Sequence, residues 1–288
     1  MERERIPKHI GFEDFSPVWQ PFAQEEIPGL FYTAARLSNP KLEIWAIKAD
    51  LAEPALKITV NGGREGDISE SGRILSTKVS SFVRDRGLLA GINTVPFDPV
   101  SAKEGEERTC AGIVVSGGVM TSLPSPAYDA LVFYKDSKNP ANGGIVPYAA
   151  ILPQSEINNP DLVENAVGGF HIILNEGELP DRLVSANNAP RHPRSAAGLS
   201  ADGRFLYLLV IDGRRKGSIG ATEAETGLIL KKLGAVQGLN FDGGGSSALA
   251  LRFPDGRVRI VNTAIHSGIP GRERAVAACL GFGAVEKQ

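Results

Sequence analysis

Short hydrophobic segments separated by polar turns recur along most of the chain. Each segment is rich in β-branched or aromatic residues and is bounded by Pro, Gly, Asn or charged residues, which is typical of strands joined by short turns. We therefore predict strands over residues 30–37, 42–49, 56–60, 88–93, 111–116, 130–135, 144–151 and 170–175. The first 28 residues mix Pro, charges and isolated aromatic rings, and we expect an irregular arm there.

Two segments have the spacing of amphipathic helices instead. Over residues 76–86, apolar side chains recur at helical spacing after Ser76, a residue type suited to the N-cap. Gly87 follows as a stop signal. Over residues 222–235, Leu and Ile side chains share one face of the predicted helix.

The C-terminal third has the most regular pattern. A buried strand over 205–212 precedes the second helix, and another strand over 236–241 follows it and leads into a glycine-rich turn. If the two strands are parallel neighbours, as such a crossover favours, Asp212 and Asp242 lie at one edge of a sheet. We predict an α+β fold with largely antiparallel or mixed sheets, in which this strand–helix–strand unit carries the DGR and DGGGSS motifs.

The balance of charged residues indicates which classes of binding partner are not expected. With 31 Lys and Arg residues against 33 Asp and Glu residues, the net charge is -2. We therefore expect no nucleic-acid binding through bulk charge. No apolar run approaches the roughly 18 residues of a membrane span. The charged start, MERERIPKHIGF, does not resemble an export signal, so the protein is either cytoplasmic or already separated from its leader.

Two cysteines, Cys110 and Cys279, lie far apart in apolar segments and form no CxxC motif. We favour buried free thiols, with a disulfide as the alternative. A cysteine-based metal site is not expected.

The most specific local motif is FDGGGSS at 241–247. Three consecutive glycines expose backbone N–H groups without side-chain hindrance, and such a run suits an oxyanion. The predicted donors are the amides of Gly243, Gly244 and Gly245 and the hydroxyls of Ser246 and Ser247. The alternative is a glycine-rich hairpin turn capped by its Asp. The motif is not a Walker loop, because the lysine of that loop is absent.

Three further segments supply charged candidates. In IDGRRKGSIG, Asp212 emerges from an apolar strand, and Arg214 could hold a phosphate or carboxylate with a bidentate fork, with Arg215 as a second candidate. In RHPRS, Arg194 follows His192, and near the end of the chain Arg274 precedes a buried strand. The alternative for each is a solvated or salt-bridged surface residue.

Together these motifs resemble the phosphodiester glycosidase family. The resemblance rests on Asn93 in AGIN, Gly168-Gly169-Phe170, HPRSAAG, VIDGR with Ser218 in GSIG, LNFDGGGSSAL and RAVAACLGF, and it covers roughly residues 55–285. The best-known member of that family removes N-acetylglucosamine from a sugar 1-phosphodiester. The resemblance divides the chain into an unassigned arm with strands, 1–54, and a phosphodiester glycosidase-like domain, 55–288, of bacterial type.

What the resemblance implies is a hydrolase acting on a phosphorylated carbohydrate. Its catalytic residues would be Asp212 and Asp242, in roles that stay open. The residues expected to bind sugar or phosphate are Asn93, Arg194, Arg214, Ser218, Gly243, Gly244, Gly245, Ser246, Ser247 and Arg274. We expect no cofactor and no required metal, although the two Asp residues could ligate Ca²⁺.

Two other functions stay open beside the hydrolase. One is a non-catalytic module that binds anionic glycans of cell-wall or exopolysaccharide metabolism. The other is a transferase or phosphodiesterase with Ser246 as nucleophile, which ranks last because no His lies beside that serine in the sequence. Extracellular glycans as substrates favour a location outside the cytoplasm.

Overall fold

A computed structural model describes residues 11–23, 25–64, 66–135, 148–185 and 189–285. Strands paired in antiparallel sheets are the main regular structure among these residues, and helices are few, as predicted. Residues 144–147 of the predicted strand 144–151 lie outside the described residues, and the remainder of that strand is present.

The largest sheet has seven strands, each antiparallel to its neighbours. In spatial order they are β1 (Gln20–Pro21), β2 (Leu30–Ser38), β3 (Lys41–Asp50), β16 (Phe205–Ile211), β15 (Arg194–Leu199), β17 (Gln237–Asn240) and β14 (Ile172–Leu174).

Three smaller sheets contain the other strands of the described residues. One has the order β10 (Val119–Ser122), β9 (Val114–Ser116), β13 (Val163–Gly168), β11 (Asp129–Tyr134) and β12 (Ala149–Pro153). Another has the order β19 (Val258–Ile260), β18 (Leu249–Arg252), β6 (Ala90–Asn93), β20 (Cys279–Ala284) and β4 (Leu56–Val60). The third joins β5 (Ile74–Leu75), β8 (Glu107–Cys110) and β7 (Phe97–Asp98).

The main hydrophobic core joins the three larger sheets. It brings together fully buried side chains such as Ile47 and Leu208 of the seven-stranded sheet, Ile92 and Leu280 of the β4–β6–β20 sheet, and Leu131 of β11. Burial of apolar surface between sheets is the main stabilising contribution in such a layered fold.

Two helices pack against these sheets. The helix α1 (Val79–Asp85) begins after Lys78, so the predicted N-cap at Ser76 is wrong. The Ser76 hydroxyl instead donates to the carbonyl of Lys103, at 3.2 Å, and thereby ties the chain before α1 to a neighbouring loop. Gly87 ends the helix with a left-handed φ of 66°, as predicted.

The longer helix, α3 (Glu223–Leu233), has both of its ends defined by sequence. Thr222 and Glu225 form a capping box, and Gly234 ends the helix with a φ of 113°. Buried Ile229, Leu230 and Leu233 pack on the seven-stranded sheet. A helix of one turn, α2 (Asp181–Val184), precedes β15 in the chain.

The strands β16 and β17 are parallel to each other, but they are not neighbours as predicted. β15 lies between them and is antiparallel to both. The short connection 200–204 joins β15 and β16 as a hairpin, and the strand that follows α3 pairs with the other side of β15. Ile211, Arg194 and Asn240 are nevertheless close to one edge of the sheet, because β16 and β17 both end where β15 begins.

The N-terminal strands are built into the same sheet. β3 pairs with β16 from Ile44 to Asp50, and β2 pairs with β3 along its whole length. The division of the chain at residue 54 stays a prediction. Cys110 and Cys279 are both free thiols. Among the described residues, no helix is both long and apolar enough to cross a membrane.

Candidate functional site

The two Asp-Gly turns meet at the start of β15, where they pack on the same proline. A Cβ added to Gly213 would lie 2.6 Å from the Pro193 nitrogen, and one added to Gly243 would lie 2.7 Å from the Pro193 carbonyl oxygen. Gly244 donates its amide to that same carbonyl, at 2.8 Å. Glycine is required at both turns because the backbones approach too closely for a side chain.

Asn93 fixes the glycine-rich turn from beneath. Its Nδ2 donates to the carbonyl of Asp242, at 2.6 Å, while its Oδ1 accepts from Ser195 Oγ, at 2.7 Å, and from the amide of Ala248, at 3.2 Å. The side chain is completely buried at the end of β6. These contacts use its hydrogen-bonding groups within the protein, so Asn93 holds the turn in place.

Asp242 lies two positions after the end of β17, and it is a partly exposed residue whose carboxylate is largely buried. Burial in its surroundings raises its pKa to about 6, and the hydrogen bond from Ser246, the charge of Arg274 and the amide of Gly243 limit the rise. A carboxylate with a pKa near neutrality can exchange a proton during a reaction at physiological pH.

Arg274 reaches over the turn with a side chain that is held at two points. Its Nη1 donates to Ser246 Oγ and its Nε donates to His266 Nδ1, both at 3.1 Å. A Cβ added to Gly245 would lie only 2.5 Å from Arg274 Nη2. The absence of a side chain at Gly245 therefore gives the guanidinium its position above the turn.

Arg214 approaches the same turn from another side. It is exposed, and its backbone has a left-handed φ of 57°, which is uncommon for a residue with a side chain. A Cβ added to Gly244 would lie 3.0 Å from Arg214 Nη2. A strained backbone that directs a cation at a glycine turn is the kind of feature found at binding sites.

The positively charged side chains of Arg214 and Arg274 lie close to each other at the glycine-rich turn. Burial, followed by the charges of Arg194 and Arg214, lowers the pKa of His192. Burial also lowers the pKa of Arg274, with Asp242 opposing this effect and Arg214 adding to it. Two guanidinium groups thus lie within electrostatic range of each other, which is favourable once an anion lies between them.

Asp212 is completely buried and surrounded by donors. Its Oδ1 accepts from Asn262 Nδ2, at 3.1 Å, and from the amide of Thr263, at 3.0 Å. Its Oδ2 is ion-paired with Arg215, which also contacts Glu43. Burial raises the pKa of Asp212, while Arg215 and these hydrogen bonds oppose the rise.

The other predicted binding residues lie around this network or apart from it. Ser218 Oγ donates to the carbonyl of Asp212, at 2.6 Å, and accepts from the amide of Glu43, at 3.0 Å. The guanidinium of Arg194 lies toward α3, where its Nε donates to the carbonyl of Ala221, at 2.9 Å. Ser247 Oγ is buried and has no hydrogen-bond partner among the described residues.

The structure therefore sorts the predicted residues into groups. The glycine-rich turn is surrounded by Asp242, Ser246, Arg214 and Arg274. A supporting set beneath it consists of Asn93, Asp212 and Ser218. Arg194 is directed elsewhere, and the amide of Gly244 is already used by Pro193.

Sequence reasoning missed three supporting residues, His266, Asn262 and Glu43. Asn262 lies 50 residues from Asp212 and Glu43 lies 172 residues from Arg215, so the tertiary fold brings these two to the site. His266 lies eight residues before Arg274, in a loop with no distinctive motif. The strained Ser267 beside His266, with a φ of 53°, has no sequence signature either.

Chemically, the arrangement offers two guanidinium groups, hydroxyl groups and one titratable carboxylate around a backbone without side chains. It suits a ligand that carries an anionic group next to a polar, reactive centre. Among the residues described by the structure, no group of three or more His, Cys, Asp or Glu side chains gathers as a metal site.

Comparisons with known proteins agree with this picture. The family model for phosphodiester glycosidases matches residues 86–283, which is more than half of the chain. A search of curated protein sequences found no match. One similar solved structure is the catalytic domain of zebrafish N-acetylglucosamine-1-phosphodiester alpha-N-acetylglucosaminidase, auto-inhibited by its pro-peptide. It has 17% identity and a TM-score of 0.62, and the match covers 95% of this chain and 89% of that one.

Two bacterial structures share the fold at lower similarity. A hypothetical protein from Synechocystis has 15% identity and a TM-score of 0.56, with 90% of this chain and 62% of that one covered. An exported-protein candidate from Burkholderia pseudomallei has 14% identity and a TM-score of 0.57, with 84% and 74% covered. At these identities, the likeness shows a common fold.

Proposed function

Because this chain belongs to the phosphodiester glycosidase family, we propose that it hydrolyses the glycosidic bond of a sugar 1-phosphodiester that carries an N-acetylglucosamine-like sugar. One observation supports this proposal most strongly. Arg214 and Arg274 flank a turn without side chains, and the carboxylate of Asp242 lies beside it.

The phosphate of the substrate lies between the two guanidinium groups in this proposal. Arg214 and Arg274 can each donate two parallel hydrogen bonds to phosphate oxygens. The amide of Gly245 lies in the same turn, and in this proposal it adds a donor. Because the departing phosphomonoester gains negative charge, these donors stabilise the transition state more than the bound diester.

Asp242 is the carboxylate that acts at the sugar. In its ionised form it either stabilises or attacks the anomeric carbon, or it takes a proton from the attacking water. The bond from the anomeric carbon to the phosphate oxygen breaks, the water oxygen becomes the new sugar hydroxyl, and the phosphomonoester leaves. Protonation of this leaving group contributes little, since its charge is already spread over several oxygens.

Asp212 has a different role in the proposal. Both of its oxygens accept hydrogen bonds from protein donors, and the side chain has no exposed surface. It is therefore a positioning residue, which holds the turn that carries Arg214 against the segment around Thr263. The single-carboxylate assignment revises the expectation that Asp212 and Asp242 share the chemistry.

The substrate class also bears on location. Sugar 1-phosphodiesters occur in surface and exported glycans, and we propose that this protein acts on such material outside the cytoplasm. The sugar and the group on the other side of the phosphate are to be identified by experiment.

The test is product analysis in water enriched in ¹⁸O, with a UDP-sugar and a methyl diester of N-acetylglucosamine 1-phosphate as substrates. Glycosidic cleavage places ¹⁸O in the released sugar, whereas phosphodiester cleavage through Ser246 would place it in the phosphate. The Asp242→Asn variant serves as the control and should release no sugar. Following the anomer first formed by NMR distinguishes retention from inversion.

Two results would contradict the proposal. Label in the phosphate would favour a phosphodiesterase, and binding of both diesters without release of sugar would favour a glycan-binding module.

A further inference from the structure

The orientation of Arg274 determines which of its N–H groups can reach a ligand. Nε donates to His266 and Nη1 donates to Ser246, while Nη2 lies above Gly245. Two contacts thus fix the plane of the guanidinium, and the N–H groups of Nη2 face the space above the turn.

The contact with His266 also defines the state of the imidazole. An arginine Nε carries a hydrogen at all accessible pH values, so His266 Nδ1 must accept and cannot carry a proton. The ring proton is then on Nε2, which lies 3.2 Å from Ser267 Oγ. This tautomer is inferred from the hydrogen-bond partners. Ser267 reaches this position only with a left-handed backbone, φ 53°, which indicates that the surrounding loop enforces it.

The surroundings of the ring favour its neutral form. His266 is 6% exposed, and burial followed by the charges of Arg274 and Arg272 lowers its pKa. The turn at Gly244–Ser246 packs against the segment at His266–Gly268 and brings Ser246, with Asp242 behind it, to the same side. Arg214 acts on this cluster from the loop after β16, through its charge beside Arg274.

We propose that His266 is a positioning residue whose neutral imidazole, acting through Nδ1, orients Arg274 toward the phosphate of the substrate. The identity of the anion rests on the proposed function, whereas the orientation of Arg274 does not. Protonation would place an N–H on Nδ1 directly opposite the Nε–H of Arg274. The hydrogen bond would then be lost, and the guanidinium would move from its place above Gly245.

This role predicts a pH effect of unusual sign. If His266 were only one more cation near the anion, acid would tighten anion binding. If it positions Arg274, acid must weaken binding instead. A dialkyl phosphate is a suitable probe, because it carries one negative charge throughout the range from pH 5 to pH 7.5.

The experiment measures the affinity for dimethyl phosphate by calorimetry in the wild-type protein, His266→Asn and His266→Ala. Asn places its Oδ1 where Nδ1 stood, accepts from Arg274 and does not titrate in this range. We expect the wild-type protein to lose affinity relative to His266→Asn as pH falls from 7.5 to 5. His266→Ala should bind weakly at both pH values, and His266→Asn should restore most of the affinity at pH 7.5.

Comparing the wild-type protein with the two His266 variants separates the effect of His266 from the titration of other groups. Protonation of Asp242 near pH 6 favours anion binding in all three proteins, so only the difference between wild type and His266→Asn reports on His266. A parallel pH dependence in these two proteins would overturn the proposal, as would wild-type affinity in His266→Ala or no binding of the probe by wild type at pH 7.5.

A second measurement is independent of ligand and of activity. Long-range ¹H–¹⁵N NMR spectra distinguish the two neutral imidazole tautomers, and the His266 signal is identified by its loss in His266→Asn. We expect Nε2 to be protonated and Nδ1 to be bare at pH 7.5. The opposite tautomer would refute the positioning role even if sugar release confirmed the enzyme, and the expected tautomer would stand if no sugar were released.

Discussion

Burial of the ionised Asp242 carboxylate lowers the stability of the folded protein, and its hydrogen-bonding and charged partners only partly offset this loss. Its pKa is raised to about 6 by burial, whereas an unfolded chain has an Asp pKa near 3.9. Between these values the native state binds more protons than the unfolded state, so the stability contributed by this group is complete below the unfolded pKa. That contribution is lost as pH rises through about 6.

The Asp242→Asn variant should therefore be inactive and yet more stable than the wild type at pH 8. Removal of the buried charge is expected to raise the free energy of unfolding by about 1–3 kcal/mol at pH 8 and by little at pH 4. Urea unfolding at the two pH values measures this difference. An inactive variant that is destabilised at pH 8 would show that Asp242 supports the fold rather than the chemistry.

Gly245 gives a way to displace Arg274 without removing it. Its backbone is outside the left-handed region, so Ala is sterically allowed there apart from the contact with the guanidinium. The added methyl must push aside the end of a flexible side chain, which leaves the fold intact. We expect Gly245→Ala to raise KM about tenfold, with a change in Tm of only a few degrees.

Steady-state kinetics with a sugar 1-phosphodiester and thermal unfolding test this prediction together. Gly217→Ala is the matched control, because it adds the same methyl to the loop after Asp212, where the nearest atom, Glu43 Oε1, is 3.3 Å away. Unchanged KM in Gly245→Ala would show that the position of Arg274 above the turn does not matter for binding.

At the scale of elements, Asp212 joins β16 to the segment that follows β19. Its oxygens receive only donors: Asn262, Thr263 and Arg215. Burial raises the pKa of Asp212, so loss of its charge alone would favour folding. An Asn at this position would, however, turn an NH2 group toward one of these donors and leave buried groups unpaired.

We expect this mismatch to dominate in Asp212→Asn, with a net destabilisation of about 1–3 kcal/mol at pH 7. The folded fraction should retain measurable turnover, in contrast to Asp242→Asn. Chemical denaturation gives the stability, and activity per folded molecule gives the second readout. Full stability combined with complete loss of turnover would return Asp212 to the catalytic set.

Elements with local signals could be predicted from the sequence, and those that depend on tertiary order could not. The capping box at Thr222 and the glycine stop at Gly234 are local, and α3 lies where the pattern places it. The position of β15 between β16 and β17 depends on pairing between strands distant in sequence, and the periodicity of hydrophobic residues does not report it. Ser76 failed as an N-cap because a distant carbonyl, that of Lys103, accepts its hydroxyl hydrogen.

The candidate site likewise combines residues that a local motif predicts with residues that only the tertiary fold brings together. The FDGGGSS turn and Arg214 could be found because several suitable groups lie within one short segment. The contact between Arg274 and His266 could not be predicted, because it forms only when the chain loops back between β19 and β20. The hydrogen-bond partners of Asp212 could not be predicted for a related reason: its donors Asn262 and Thr263 lie some 50 residues further along the chain.

At the scale of the whole molecule, the site depends on a sheet that begins long before the matched family region. Residues 86–283 match the family model, yet β16, which directly precedes Asp212, has β3 as one of its two neighbours. Trp45 and Ile47 of β3 also lie in the main hydrophobic core. The seven-stranded sheet would expose β16 as a new edge if β2 and β3 were absent, and a long apolar edge strand promotes aggregation.

A chain that begins at residue 55 should therefore fail to fold as an active unit, even though it contains Asp242, Arg214 and Arg274. We expect it to be insoluble, or to lack a cooperative unfolding transition, because it loses the backbone hydrogen bonds between β3 and β16 and the burial of Trp45 and Ile47. The measurement compares soluble yield, far-UV circular dichroism and thermal unfolding with those of the full chain. Adding residues 11–53 as a separate peptide is an informative control, since recovery of activity would show that the strands act by completing the sheet. Cooperative unfolding and sugar release by the shortened chain alone would instead establish residue 54 as a true domain boundary.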